Sequence, residues 1–400
     1  MVGQSLKTWC EGKKLTVLVF VAHYLPGYKF GGPLRSISNM IDSLGDEFDF
    51  KVITLDRDFL ENRPYQNIVA NEWNIVGKAK VLYCQPSMNS LLSLRRLLSR
   101  TDYDVLYLNS FFDPVFTIKA LLLRRMRMIP VRPVVLAPRG EFSPGALRLK
   151  AYKKKPHLLC AKALGLYNDL VWHASTHYEA VDIKAALGKI ASRIHIAVDL
   201  PTRSETSNEP QWPDKSPDCL RIVFLSRISP MKNLDYALAV FDKVGISVKY
   251  DIYGTVEDRN YWELCRKIIK RLPGNISVEY KGELPHAKVH DVLRDHDLFY
   301  LPTRGENYGH VIHEALSAGL PILISDETPW RNLADKRIGW DLPLADPMAF
   351  ASKIEAVAAM DAAEHHGMRK NAWEYGQQVD NNDEALNANR QLFVSAISGK

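Results

Sequence analysis

The most constraining feature of this chain is a recurring alternation. Short apolar runs rich in β-branched residues are separated by longer stretches whose apolar residues recur at helical spacing. Candidate strands fall at 15–22, 50–55, 79–84, 104–109, 133–137 and 170–174, and again at 221–225, 248–253, 276–280, 298–301 and 321–324. Leu15 to Ala22 is a continuous, valine-rich apolar run, which predicts a strand buried on both faces of a parallel sheet. Strands that alternate with helices predict doubly wound α/β sheets. Between the two series, Pro201, Pro210, Pro213 and Pro217 stand among Ser, Thr, Asn and Asp and break the pattern. The expected organisation is an N-terminal Rossmann-like domain over 1–199, a linker over 200–218 and a second Rossmann-like domain over 219–380. Four hundred residues suffice for two separate cores. Open α/β sheets bind ligands outside the carboxyl ends of their strands, so two facing domains would bind theirs in the cleft between them.

Three strand-to-helix turns carry candidate chemistry. The first follows the apolar run Leu298 to Pro302 and reads Gly305, Glu306, Asn307, Tyr308, Gly309, His310, Val311, Ile312, His313, Glu314. A helix is expected to begin near Gly309 and to stop at Gly319. Glu306 then sits in the loop and Glu314 more than a turn into the helix, facing the same cleft. The unpaired N–H groups of the helix start point at whatever anion arrives. Two carboxylates flanking an anion site suit a sugar, a diphosphate and a ribose. The second turn follows Ile222 to Leu225. It carries Arg227 and Lys232 ahead of a helix with Leu234, Ala237, Leu238 and Phe241 on one face. Arg as a fork and Lys as a point charge can together clamp a diphosphate. The third follows the first strand, where Gly31 and Gly32 let backbone approach a ligand closely before a helix with Leu34, Ile37, Met40, Ile41 and Leu44 on one face.

The segments Pro302 to Gly309 and Glu314 to Pro321 resemble the paired-glutamate motif of family 4 glycosyltransferases, which are retaining enzymes of the GT-B fold. That resemblance implies a fold class of α/β, GT-B type: two Rossmann-like doubly wound domains facing across a cleft, with a final helix of about 383–400 packing back onto the first domain. It implies that Arg227 and Lys232 hold the donor diphosphate, that Glu306 holds sugar hydroxyls and that Glu314 holds the ribose. Arg227, Lys232 and Glu306 are the expected catalytic residues. Gly31, Gly32, Asn307, Tyr308, Gly309 and His310 complete the expected donor site. Glu283 and Leu284, in the loop after the 276–280 strand, are expected at the nucleobase, where backbone contacts would not separate a UDP-sugar from a GDP-sugar. On the acceptor side, Arg139 and Glu141 follow the 133–137 strand. Many relatives have a histidine near this place, so the acceptor-side acid or base stays open. Arg139 could contact the donor or an anionic acceptor, or begin a basic face. Residues 139–147 and 325–331 are similar to bacterial members that build polysaccharide and lipopolysaccharide, which sets the pathway class; the expected acceptor is a glycan or polyprenyl-linked sugar.

Charge is unevenly distributed. Residues 1–200 hold 28 Lys+Arg against 17 Asp+Glu, and residues 201–400 hold 24 against 29. The window 119–162 alone has 12 basic residues and one acidic residue, Glu141, interleaved with Leu121, Leu122, Leu123, Met126, Met128, Leu158 and Leu159. Basic residues among apolar ones suit an anionic membrane face; a solvated basic face is the plain alternative. A nucleic-acid partner is not expected. No apolar run approaches the length of a membrane span. The run after Lys13 and Lys14 is short for a signal peptide, and Glu11 interrupts its basic flank. Cys10, Cys84, Cys160, Cys219 and Cys265 are odd in number and scattered, which predicts reduced thiols. The expected location is cytoplasmic, peripheral on the inner face of the cytoplasmic membrane.

Neither a metal nor a cofactor is expected. Asp102–Asp104 and Asp295–Asp297 precede strands, at the wrong end of a parallel sheet for a site. Asp56 and Asp58 follow one, but no accompanying motif supports them. There is no Gly-x-Ser-x-Gly nucleophile elbow. A different GT-B enzyme, either an epimerase or a phosphorylase, and a non-catalytic basic binding module remain as alternatives.

Overall fold

The computed structural model of the protein describes residues 14–148, 151–202 and 209–399. Cys10, Glu11 and Lys13 lie outside the described residues, as do Lys150 of the basic window, residues 203–208 of the expected linker, and Lys400.

Among the described residues the strands form two sheets. The first contains β1 (Leu15–Phe20), β2 (Phe48–Leu55), β3 (Trp73–Val76), β4 (Ala79–Cys84), β5 (Val105–Asn109), β6 (Val134–Ala137), β7 (Val171–Ala174) and β8 (Ile194–Ile196). Their order is β3-β4-β2-β1-β5-β6-β7-β8. All pairs are parallel except β3, which runs antiparallel to β4 at the edge. The second sheet contains β9 (Leu220–Leu225), β10 (Val248–Tyr253), β11 (Ile276–Gly282), β12 (Leu298–Leu301), β13 (Ile322–Ser325) and β14 (Gly339–Leu342). It is parallel throughout, in the order β11-β10-β9-β12-β13-β14. These are two Rossmann-like α/β sheets. Strands β3, β8 and β14 lie outside the expected set.

The apolar character of β1 is explained by its place. It pairs with β2 on one side and β5 on the other, and Val17, Leu18, Val19 and Phe20 are fully buried. One face of the sheet carries Leu18 and Phe20, packed with Leu106, Leu136 and Trp172. The other carries Val17 and Val19, packed with Ile37, Met40 and Ile41 of the helix Gly32–Leu44. Leu392, Phe393 and Ala396 of the last helix, Asp383–Ser398, complete that second face. The Phe393 ring lies 5.6 Å from Phe48 and 5.4 Å from Tyr107, edge-on to both. The preceding helix, Ala362–Asp380, belongs to the second domain, where Arg369 donates to the carbonyls of His296 and Arg294. The chain therefore returns to the first domain between Asp380 and Asp383. The described part of the 200–218 stretch is laid on both domains. Leu200 O accepts from Asn39 Nδ2 in the first, and Trp212 Nε1 donates to Ala318 O in the second.

Candidate functional site

Loops leaving the carboxyl ends of β1, β6, β7, β9, β11 and β12 line one cleft of about 420 Å³ between the two sheets. Every residue expected at a donor or acceptor site lines it: Gly31, Gly32, Arg139, Glu141, Arg227, Lys232, Glu283, Leu284, Glu306, Asn307, Tyr308, Gly309, His310 and Glu314.

The C-terminal wall is built by stitching two loops together. Asn233, in the left-handed conformation at φ 60°, donates from Nδ2 to Pro302 O, and its Oδ1 accepts from Arg304 Nε at 2.8 Å. Met231 O accepts from both Arg304 N and Thr303 Oγ1. These bonds hold the loop after β9 against the loop after β12, and Lys232 Nζ meets Glu306 Oε1 in an ion pair. Their side chains are 13% and 11% exposed, so the pair is only partly screened by water. Arg227 pairs with Glu257 at 2.9 Å, and its guanidinium lies over the Phe59 ring of the first domain.

The helix His310–Ser317 begins directly after Gly309. Gly309 adopts φ 84°, and a Cβ there would lie 2.9 Å from Ile312 Cδ1, so a side chain is excluded twice over. Glu314 lies on this helix and accepts from His286 Nε2 at 3.1 Å. Burial pushes its carboxyl up, but the His286 hydrogen bond and the charges of His286, Arg35 and His310 outweigh it, and the net shift is downward. Tyr308 is buried, and its carbonyl accepts from Trp330 Nε1 at 2.6 Å.

The N-terminal wall carries the two residues expected on the acceptor side. Arg139 is enclosed and paired rather than set out on a solvated face. Its side chain is 5% exposed and donates to Asp199 Oδ1 (2.5 Å), Asn109 Oδ1 (3.1 and 2.9 Å) and Tyr107 OH (2.8 Å). Burial alone would lower its pKa, but the adjacent Asp199 carboxylate reverses this and holds it charged. A buried guanidinium needs such partners, and the sequence around Arg139 gave no sign that Asp199, 60 positions later, would supply one. Glu141 is likewise turned inward, accepting from Ser110 Oγ (2.7 Å) and from the amides of Phe111 (2.5 Å) and Phe112 (3.3 Å). Burial raises its pKa to about 7 against those hydrogen bonds. Gly31, at φ 75°, faces Arg227: a Cβ on it would stand 3.8 Å from Arg227 Nε.

Several side chains that join the domains were missed from sequence. Ser36 Oγ lies 2.8 Å from Asp199 Oδ2 and 2.9 Å from His310 Nε2, linking the first domain to the helix start of the second. Asn307 Nδ2 donates to Ser175 Oγ at 2.7 Å. Lys29 Nζ pairs with Glu283 (2.6 Å) and Glu61 (2.5 Å), which makes Glu283 a bridge between domains as well as part of the loop after β11. Arg35, one turn past the Gly31–Gly32 pair, also lines the cleft. Its spacing on the helix was the one available signal. His310 is buried though it lines the cleft, and burial lowers its pKa to about 4, so it is neutral near pH 7.

Among the described residues no group of three or more His, Cys, Asp or Glu side chains is placed to hold a metal ion. Four carboxylates of the Asp-x-Asp pairs have partners of their own. Asp58 accepts from the amides of Tyr28, Lys29 and Phe59, Asp56 pairs with Arg57, Asp104 accepts from Thr16 N, and Asp297 pairs with Arg221. In the basic window, Lys119, Lys154 and Lys162 donate to backbone carbonyls, whereas Met126 and Leu159 are exposed, as is Leu164 just beyond it. No helix among the described residues is long and apolar enough to cross a membrane.

Comparison with known proteins gives the same architecture. A sucrose-phosphate synthase from Thermosynechococcus elongatus superposes with a TM-score of 0.72 at 15% identity, covering 97% of this chain and 100% of that one. The Anabaena protein Alr3699/HepE, solved in complex with UDP-glucose, superposes with a TM-score of 0.66 at 16% identity, covering 96% and 100%. At such identities the likeness is one of fold, and the fold is GT-B. An uncharacterized 41.2 kDa protein in the cps region of Klebsiella pneumoniae is 25% identical over 267 residues, 62% of this chain and 71% of that one. Residues 205–378, which carry the wall with Arg227, Lys232, Glu306 and Glu314, match the family model described as glycosyl transferases group 1.

Proposed function

We propose that this protein is a retaining glycosyltransferase of family 4, moving a sugar from a nucleoside-diphosphate sugar to a hydroxyl of a glycan or lipid-linked acceptor in cell-surface polysaccharide synthesis. The observation that carries this reading is the Lys232–Glu306 ion pair in the inter-domain cleft, with Arg227 facing Gly31 and the helix start at Gly309 alongside. It joins a cation for a diphosphate to a carboxylate for sugar hydroxyls. The group 1 family match over this wall supports it, as do the UDP-glucose complex of a protein with the same fold and the cps-region relative.

In this mechanism the acceptor hydroxyl attacks the anomeric carbon from the face the nucleotide leaves. The C–O bond to the diphosphate breaks, and the departing diphosphate oxygen takes the hydroxyl proton. Arg227, Lys232 and the N–H groups after Gly309 stabilise the charge growing on that diphosphate. Glu306 orients the sugar hydroxyls, Glu314 binds the ribose, and the Glu283–Leu284 loop meets the base. The site works without a metal. The exposed apolar side chains among basic residues in 119–162 hold the protein on the inner face of the cytoplasmic membrane, beside its acceptor.

A thermal-shift screen with UDP, GDP, ADP and their sugars, with and without EDTA, tests the donor site. A ligand bound only by the folded state raises the melting temperature by mass action. A selective rise with one nucleotide, unchanged by EDTA, is expected. A rise abolished by EDTA removes the metal-free mechanism, and no rise with any nucleotide removes the donor reading.

A further inference from the structure

The cations of the cleft are matched within the protein, with one exception among the described residues. Lys232 pairs with Glu306, Arg227 with Glu257, Lys29 with Glu283, and Arg139 with Asp199. Arg35 lines the same cleft from the first turn of the helix Gly32–Leu44, and its guanidinium has no hydrogen bond or ion pair among the described residues. It is largely withdrawn from water, which lowers its pKa, while the charge of Glu314 on the facing domain acts the other way. An unpaired, desolvated charge costs stability in the free protein. An anion arriving beside it recovers that cost.

The place of Arg35 says which anion. Side chains on a helix lean toward its N-terminus, here toward Gly31, where Arg227 Nε stands 3.8 Å from the Cβ position. Arg35 and Arg227 thus line the same cleft from opposite domains. The carboxylates of the facing wall already have partners, Glu306 in Lys232 and Glu314 in His286. A planar guanidinium with free donors suits the oxygens of a phosphoryl group.

We infer that Arg35 is a phosphoryl-binding residue supplied by the N-terminal domain, its guanidinium donating to a non-bridging oxygen of the bound nucleoside diphosphate. The inference rests on the donor reading of the cleft. It makes diphosphate binding depend on both domains, because the other two cations, Arg227 and Lys232, come from the second.

The test is titration calorimetry of wild-type, Arg35→Gln and Arg35→Lys with UDP and GDP, together with saturation-transfer NMR affinities for uridine and guanosine. Arg35→Gln is expected to weaken the better-bound diphosphate about 10- to 100-fold, as for a lost charge-assisted hydrogen bond. Lys should restore part of the loss, and nucleoside affinity should stay unchanged. The ligand-free melting temperature of Arg35→Gln should equal or exceed that of the wild type, since no internal partner is lost. Diphosphate affinity within twofold of wild type, an equal loss for the nucleoside, or a drop of several degrees in ligand-free melting each overturns the role of Arg35 alone. A wild-type protein that binds neither UDP nor GDP overturns the donor reading and Arg35 with it.

Discussion

Ser36 and His310 meet across the cleft, Oγ to Nε2 at 2.9 Å, and the same hydroxyl reaches Asp199 Oδ2 at 2.8 Å. Asp199 in turn holds Arg139, so one buried chain of four side chains runs from the floor of the first domain to the helix start of the second. With the hydroxyl donating to Asp199, His310 carries its proton on Nε2 and donates to Ser36. Removing the middle member leaves two buried polar atoms short of a partner. Ser36→Ala should therefore destabilise the protein by about 1–3 kcal/mol, and its melting temperature should fall by several degrees. A melting temperature within a degree of wild type would show that the chain contributes nothing to holding the domains together.

The Lys232–Glu306 pair divides stability from turnover. Its two side chains are nearly enclosed by the cleft, and the surrounding loops are fixed by Asn233 and Met231 backbone bonds that do not involve either charge. Lys232→Ala should therefore keep the fold and lose on the order of a hundredfold or more in turnover, the usual loss when a group stabilising developing charge is removed. The readout is sugar transfer measured beside a melting curve. Near-normal turnover with an intact fold would reject Lys232 as a diphosphate cation.

Much of this architecture is legible in the chain. Strands β1, β6 and β12 declare themselves because burial on both faces demands apolar runs, such as Val17–Phe20, Val134–Ala137 and Leu298–Leu301. Edge strands escape that demand. Trp73–Val76 has an exposed Ile75, Ile194–Ile196 is three residues long with a central His195, and Gly339–Leu342 opens on a glycine. None has a periodicity that stands out from a loop. The cleft residues were legible for a related reason. Glu306, Gly309 and Glu314 lie within one strand-turn-helix unit, so local spacing reports them. Arg139 and Asp199 are far apart in sequence, and no local pattern says that one buries the other's charge. The inter-domain partners Ser36, Ser175 and Lys29 depend on how two separately readable domains face one another, which neither domain's own periodicity encodes.

Buried titratable groups set a pH dependence with two signs. Burial lowers the pKa of His310 and of His173 from 6.5 to about 4. Between those values the unfolded chain holds protons that the folded protein refuses, so their contribution falls as pH drops from about 6.5 toward 4. Glu141 acts oppositely. Its folded pKa of about 7 lies above the ordinary 4.5, so the folded protein takes the proton first, and its contribution rises as pH falls from 7 to 4.5. Glu141→Gln is neutral at every pH and removes that opposing contribution. Relative to wild type, the variant should be more stable at pH 8 than at pH 5, by a difference on the order of 2–3 kcal/mol. Parallel melting-temperature profiles for the two proteins across this range would contradict the burial-driven shift of Glu141.

The basic window makes a prediction that differs from the one its composition suggests. Of its 12 basic residues, Arg139 is enclosed, and Lys119, Lys154 and Lys162 reach backbone carbonyls. Beside the other basic residues stand exposed apolar ones: Leu159 is 71% exposed and Leu164, just past the window, 62%, and Leu164 O lies 3.4 Å from Arg125 Nε, which brings the ends of the helices Lys119–Arg125 and Ala151–Ala163 together. Apolar side chains that enter the acyl boundary beside arginines at the headgroups bind a membrane by both forces. The protein should co-sediment with vesicles containing anionic phosphatidylglycerol at low salt. It should do so less with neutral vesicles, and less again as salt shortens the reach of the charges. Leu159→Asp with Leu164→Asp should abolish binding in both salts while leaving the melting temperature unchanged, because both side chains are in water in the free protein. Binding that survives the double substitution but vanishes with salt would reduce the face to a purely electrostatic one, and no sedimentation at low salt would remove membrane contact from the function altogether.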